Sequence, residues 1–193
     1  MRLAEIDRGD TLRHRMLIGM ISRVSGMRLP DAARVAFYHH DFAGPALGAW
    51  VQKTMRGPSP WTISERELMA ATVARWNACP FCVGAHSAVA VRGIDRAVTE
   101  AVLLDYRSAP ISTRFRAALT FIEKMTLTPN LLTADDARAA FTDGLTVDEL
   151  RDAAAVAAVF NVITRYANAL EFAIPPDAEF DKAAGMLLRR GYS

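Results

Sequence analysis

The chain has 193 residues, of which 51% are hydrophobic, 23% charged and 8% aromatic, with 11 Gly and 9 Pro. A chain of this length buries roughly 70% of the surface its unfolded form exposes, so one sizeable core is expected, and intrinsic disorder, collagen-like repeats and low complexity are excluded. Lys and Arg number 23 against 21 Asp and Glu, a net charge of +2 with the basic residues scattered, so nucleic acid is not an expected partner.

Residues 1–29 read as a basic, Met-rich N-terminal extension with an amphipathic stretch from Thr11 to Val24, where Leu12, Met16 and Met20 fall at i, i+4 spacing. This stripe needs a surface, on the body of the chain or on a neighbouring subunit. Early in the chain the longest uncharged run, Met16 to Ser22, is bracketed by Arg15 and Arg23 and falls well short of the roughly 18 residues a membrane span requires. No small-residue cleavage site follows it, so the expectation is a cytoplasmic protein without a membrane partner.

Residues 30–174 then read as a helical domain. Pro30 and Asp31 open a segment to about His40, and another spans Ala46 to Met55 between Gly44-Pro45 and Gly57-Pro58. Ser64 and Glu67 stand at capping-box spacing ahead of an amphipathic helix that runs to about Asn77. Pro80 suits the first helical position of the next segment, with Cys79 as its N-cap and Cys82 at N3; this helix passes His86 and stops at Arg92-Gly93. Further helices are expected over Asp95 to Leu104, Ser112 to Met125, Thr133 to Phe141, and Thr146 to Phe172, the last opened by a Thr146/Glu149 capping box. No alternating β-branched run occurs, so the expected fold is an all-α, single-domain bundle of about seven to nine helices. Pro175-Pro176 ends the body, and residues 175–193 read as a tail whose Phe180, Ala184 and Leu187 could pack on the surface.

The chemistry concentrates at Cys79-Pro80-Phe81-Cys82, which holds both cysteines of the chain. Two cysteines so close cannot form a disulfide scaffold that constrains the unfolded chain. At about 100° per residue, Cys79, Cys82 and His86 project into an arc of about 60° on one helix. The imidazole one turn beyond Cys82 can take the thiol proton, and the helix N-terminus offers free N–H donors and a positive dipole end. Such settings lower thiol pKa values to roughly 3.5 to 7.5. Glu67 lies on the preceding helix, and capping its own helix is the simpler reading of it; reaching the thiols depends on a crossing angle that spacing does not fix.

Burial as two small hydrophobes is the alternative reading of the cysteines. A metal site formed by Cys79, Cys82, His86 and Glu67 is weaker, because no second Cys or His pair exists downstream. A thioredoxin-like domain would need a strand before its motif, and none is expected. His39-His40-Asp41 reads as a polar helix end. Asn161 and Arg165, one turn apart in an apolar helix, are expected to line the pocket or meet a subunit partner, and Trp76 stands near enough to Cys79 to wall the site.

Glu67, Cys79, Cys82 and His86, in the contexts Ser64-Glu65-Arg66-Glu67-Leu68 and Asn77-Ala78-Cys79-Pro80-Phe81-Cys82-Val83-Gly84-Ala85-His86, resemble the carboxymuconolactone decarboxylase superfamily, specifically its alkylhydroperoxidase D-like, peroxidase-related branch. The likeness extends to 107–112, 121–126, Phe160-Asn161, Arg165 and 167–170, and so covers roughly Phe42 to Phe172. It implies an all-helical homo-oligomer that reduces a small hydroperoxide through a redox-active cysteine pair. Cys82 would be peroxidatic and Cys79 resolving, with His86 and Glu67 as a proton relay. An external dithiol or thioredoxin-like reductant would restore the pair, with no prosthetic group or metal. The founding hydroperoxidases carry a histidine directly before the second cysteine, where this chain has Phe81. The superfamily's decarboxylases proper lack the cysteine pair, which makes lactone decarboxylation the less expected activity. A redox sensor or dithiol/disulfide exchange protein is the alternative from a different class.

Overall fold

A computed structural model describes residues 3–38 and 40–192. Its elements run α1 (Ala4–Arg8), α2 (Leu12–Ser25), α3 (Asp31–Tyr38), α4 (His40–Ala43), α5 (Pro45–Arg56), α6 (Ile63–Trp76), α7 (Pro80–Ala90), α8 (Arg96–Asp105), α9 (Thr113–Leu127), a 3₁₀ turn (Pro129–Leu131), α10 (Ala134–Thr142), α11 (Val147–Ala169) and α12 (Asp177–Arg190). Among the described residues there is no strand, and the fold is all-α, as the absence of β patterning predicts. The helices outnumber the expected seven to nine because the extension contributes α1, the segment after Asp31 is divided into α3 and α4, and the tail contributes α12.

Helix starts follow the caps closely. Asp95, Ser112 and Thr146 each accept a backbone N–H of the first turn, and Thr146 with Glu149 forms the expected capping box. The box on α6 is different: Thr62 is the N-cap and Glu65 its partner, so Ser64 lies inside the helix and Glu67 caps nothing. Glu67 is fully buried instead. Helix α11 ends at Ala169, short of the expected Phe172, and the chain turns there through Glu171 at φ 51°.

The main core lies where α5, α6, α9 and α11 meet, around Trp61, Leu68, Met69, Val73, Leu119 and Phe160. Trp61 anchors it, since its indole N–H donates to the Glu149 carbonyl at 2.8 Å, its ring meets Phe115 edge-on, and Arg114 stacks over it. A second, smaller cluster holds Ile6, Val35, Ala74, Cys79, Phe81, Cys82, Ala167, Phe172 and Phe180. It joins α1, α3, the N-terminal half of α7, the end of α11 and α12. Asp31, wholly buried, links the extension to the body by pairing with Arg28 and accepting the Ala173 N–H at 2.7 Å. The extension thus docks on its own chain through Ile6, while Leu12, Met16, Met20 and Val24 remain 58–84% exposed along one side of α2.

The candidate active site at the start of α7

Helices α6 and α7 are joined by a turn with no slack. The Cys79 N–H donates to the Ala74 carbonyl and the Ala78 N–H to that of Arg75, a closing pattern that requires a left-handed residue just past the helix end. That residue is Ala78, at φ 50°, where glycine would be free of strain and a Cβ costs about 1–2 kcal/mol. A fan of side-chain bonds holds the turn: Asn77 Nδ2 donates to Asn161 Oδ1 and Thr164 Oγ1, both at 3.0 Å, and Asn168 Nδ2 donates to the Asn77 carbonyl at 2.9 Å. Asn161 is oriented in turn by its own donation to Thr126 Oγ1 and by Arg165. The polar pair on α11 therefore fixes the backbone ahead of the cysteines.

Cys79 is the N-cap of α7 and Pro80 its first helical residue. Both cysteines are free thiols and buried. The Cys82 thiol donates to Cys79, and together with the Cys82 backbone N–H this outweighs burial and holds the Cys79 thiol down to about 7. The same bond, with burial and the charge on Cys79, pushes Cys82 well up. Cys79 also borders a cleft of about 290 Å³ walled by Pro80, Phe81, Ala167, Asn168, Glu171 and Phe172. Phe81 meets Phe172 and Phe180 ring to ring, making the inner wall apolar.

Behind the cysteines, Glu67 Oε2 lies 2.7 Å from His86 Nδ1. Burial raises the Glu67 carboxyl, but the hydrogen bond and charge of His86, then Arg56, bring it below the usual range. The carboxylate is therefore the charged form, and Nδ1 carries the proton it accepts. That leaves Nε2 as the ring's basic nitrogen. His86 is wedged edge-on against Phe160 at a centroid distance of 4.4 Å, which fixes the ring plane. Arg56 Nη1 pairs with Glu67 Oε1 at 2.7 Å, and the Tyr192 hydroxyl donates to the same oxygen at 2.8 Å.

The four residues singled out in the sequence lie on α6 and from the N-cap to the middle of α7, and they form two pairs, Cys79 with Cys82 and Glu67 with His86. Other expectations fall elsewhere. Trp76 packs edge-on against Tyr106 in the main core and does not wall the site. His40 and Asp41 are exposed at α4, and His39 lies outside the described residues. Arg56 and Tyr192 carried no sequence signal: Arg56 is one cation in the last turn of α5, and Tyr192 follows a basic helix end. Among the described residues, no cluster of three His, Cys, Asp or Glu side chains is arranged to hold a metal ion, and no helix is long and apolar enough to cross a membrane. A second cleft, about 480 Å³ between α9 and α10, contains charges that are already paired, Lys124 with Asp136 and Arg107 with Glu123.

Comparison with solved structures identifies the fold. The chain is similar to a peroxidase-related protein from Silicibacter sp. TM1040, with 26% identity, 88% of this chain and 87% of that one covered, and a TM-score of 0.73. It is equally similar to an alkylhydroperoxidase AhpD core protein from Ralstonia eutropha JMP134, with 26% identity, the same coverage and a TM-score of 0.72. The debrominase Bmp8 shares the fold at 18% identity and a TM-score of 0.69, over 91% of this chain and 94% of that one. No family model matches the chain, and no curated relative does. The fold is that of the alkylhydroperoxidase D core. The likeness to these peroxidase-related and AhpD core structures is consistent with the carboxymuconolactone decarboxylase superfamily.

Proposed function

We propose that the protein is a thiol-dependent hydroperoxidase, and the observation that carries the proposal is the buried Glu67–His86 pair set one helical turn beyond Cys82. In the order the resemblance implies, His86 Nε2 takes the Cys82 thiol proton and the thiolate attacks the terminal oxygen of a hydroperoxide. The O–O bond breaks, Cys82 becomes a sulfenic acid, and the leaving alkoxide recovers the proton from the relay. Cys79 then attacks the sulfenic sulfur, water leaves, and the Cys79–Cys82 disulfide forms. An external dithiol reduces it by exchange. The peroxide is reduced by two electrons and the dithiol oxidised by two. Stopped-flow consumption of an organic hydroperoxide with a dithiol reductant tests the reading: Cys82→Ser is expected to abolish turnover, and wild-type turnover in that variant overturns it.

One observation favours a second reading. Cys79, not Cys82, borders the cleft and holds the lowered pKa, as expected of the entry sulfur of a dithiol/disulfide exchange protein. On this reading the mixed disulfide forms at Cys79 and Cys82 resolves it. Trapping with a small disulfide decides: Cys82→Ser retains a stable adduct at Cys79 if exchange is the activity, and the hydroperoxide then oxidises the pair no faster than it does a free thiol of equal pKa.

A further inference from the structure

The end of the chain reaches the site across 125 residues of sequence. Helix α12 packs along α7 so closely that a Cβ on Gly84 would lie 2.5 Å from Phe180 Cε2. At Gly191 the backbone turns through φ +73°, over Gln52, whose Oε1 would be 2.3 Å from any Cβ there. This tight passage lets the Tyr192 N–H donate to Gln52 Oε1 at 2.7 Å. The Tyr192 ring then lies between Arg56, whose guanidinium is 4.9 Å from its centroid, and His86, nearly parallel at 24° and 6.3 Å away. Its hydroxyl donates to Glu67 Oε1 at 2.8 Å and stands 3.3 Å from His86 Nδ1.

From this convergence we infer that Tyr192 is a positioning residue of the relay: with Arg56 it occupies Glu67 Oε1, leaving Oε2 to His86, and so keeps the carboxylate aimed at the Nδ1–H, the contact that leaves Nε2 as the basic nitrogen. The argument is one of valence and geometry. An ionised carboxylate accepts through both oxygens, and a carboxylate free to rotate would not stay aligned with the Nδ1–H. Two donors on Oε1 remove that freedom. The hydroxyl also touches both partners of the relay, so when His86 gains a second proton, it stays bonded to the carboxylate that balances the charge. Burial and the charge of Glu67 hold the phenol well above its ordinary range, against the opposing pull of Arg56, and the group remains a neutral donor throughout the pH range of the reaction. The tail is accordingly a component of the site, delivered by α12.

The inference rests on the hydroperoxidase reading for its kinetic consequence but not for its structural one, and the experiment separates the two. Tyr192→Phe keeps the ring beneath Arg56 and the backbone bond to Gln52 while removing the O–H. In the reduced protein, ¹⁵N spectra of the His86 ring are expected to show the Nδ1–H form in the wild type and a mixture of tautomers in Tyr192→Phe. Thiol oxidation by hydroperoxide is expected to slow about tenfold, the effect of one hydrogen bond to a charged group, with an altered pH profile. Adding Glu67→Gln to Tyr192→Phe is expected to cost no more than Glu67→Gln alone, because both act through one carboxylate. A wild-type tautomer in Tyr192→Phe, or rate losses that add in full, would overturn the inference. If the tautomer shifts in a protein that does not consume hydroperoxide, the inference stands and the hydroperoxidase reading falls.

Discussion

The two apolar clusters of this molecule are built by opposite rules. The main core draws on α5, α6, α9 and α11 and is filled by large apolar side chains interleaved with alanines, with no reactive group among them. The second cluster is smaller and contains both cysteines. Its walls come from elements far apart in sequence: Ile6 of α1, Val35 of α3, Phe172 after α11 and Phe180 of α12. Where one cluster forms the larger core of the bundle, the other shields a reactive pair and leaves it a cleft beside Cys79. The lesson is that a reactive pair in the middle of the chain is enclosed by segments from both of its ends.

Breaking the first cluster is expected to have the largest effect. Trp61→Ala removes a wholly buried indole, its bond to the Glu149 carbonyl and its stacking on Phe115 and Arg114, with an expected loss of about 3–5 kcal/mol. Chemical denaturation measures it, and thiol reactivity in the remaining folded protein should not change. Next comes Glu67→Gln, which leaves Arg56 buried opposite a neutral amide and takes the charge from behind His86. Oxidation of the thiols by hydroperoxide should fall on the order of a hundredfold, the contribution of an acid–base relay. An unchanged rate would make the pair purely structural.

A smaller effect concerns pH. Only the thiolate is nucleophilic, and Cys79 is held at about 7 by the Cys82 thiol and backbone N–H, so alkylation at Cys79 should rise through neutrality and level off above it. In Cys82→Ala the thiol donor is gone and the rise should move to higher pH; a midpoint that stays in place would assign the lowering to the backbone alone. The smallest effect concerns the exposed stripe on α2. Leu12, Met16, Met20 and Val24 are uncovered in the single chain, and a symmetric homo-oligomer that buries them is the expected remedy. Light scattering on the wild type and on Met16→Glu/Met20→Glu tests this. A monomeric wild type discards the oligomer, and an oligomer that survives the charges discards the role of the stripe.

Much of this was legible in the sequence, and for identifiable reasons. Cap residues such as Asp95, Ser112 and Thr146 act on backbone groups two or three residues away, so their meaning is local. Cys79, Cys82 and His86 lie on one helix, where spacing alone dictates a shared face. Glu67 was harder, because Ser64 and Glu67 have the spacing of a capping box one turn away from a better one, Thr62 with Glu65, and only the packing of α6 on α7 shows the carboxylate turned inward. Arg56 and Tyr192 could not be found by any periodic signal. Their contact with Glu67 depends on how α5 and α12 close over α6 and α7, a long-range property that neither segment states by itself.

The strained turn at Ala78 also bears on how the cleft responds to dissolved ions. The C-terminal turns of α6 and α11 lie beside the N-terminus of α7, through Ala74 and through Ala167 and Asn168, so the positive dipole end under Cys79 is opposed by two negative ones. The charge on Cys79 must then rest on the short-range donors from Cys82, which mobile ions do not screen as they screen a field acting over about a Debye length of 10 Å. Raising ionic strength should therefore leave the reactivity of this sulfur nearly unchanged, a constancy that a thiolate sustained by long-range fields would not share.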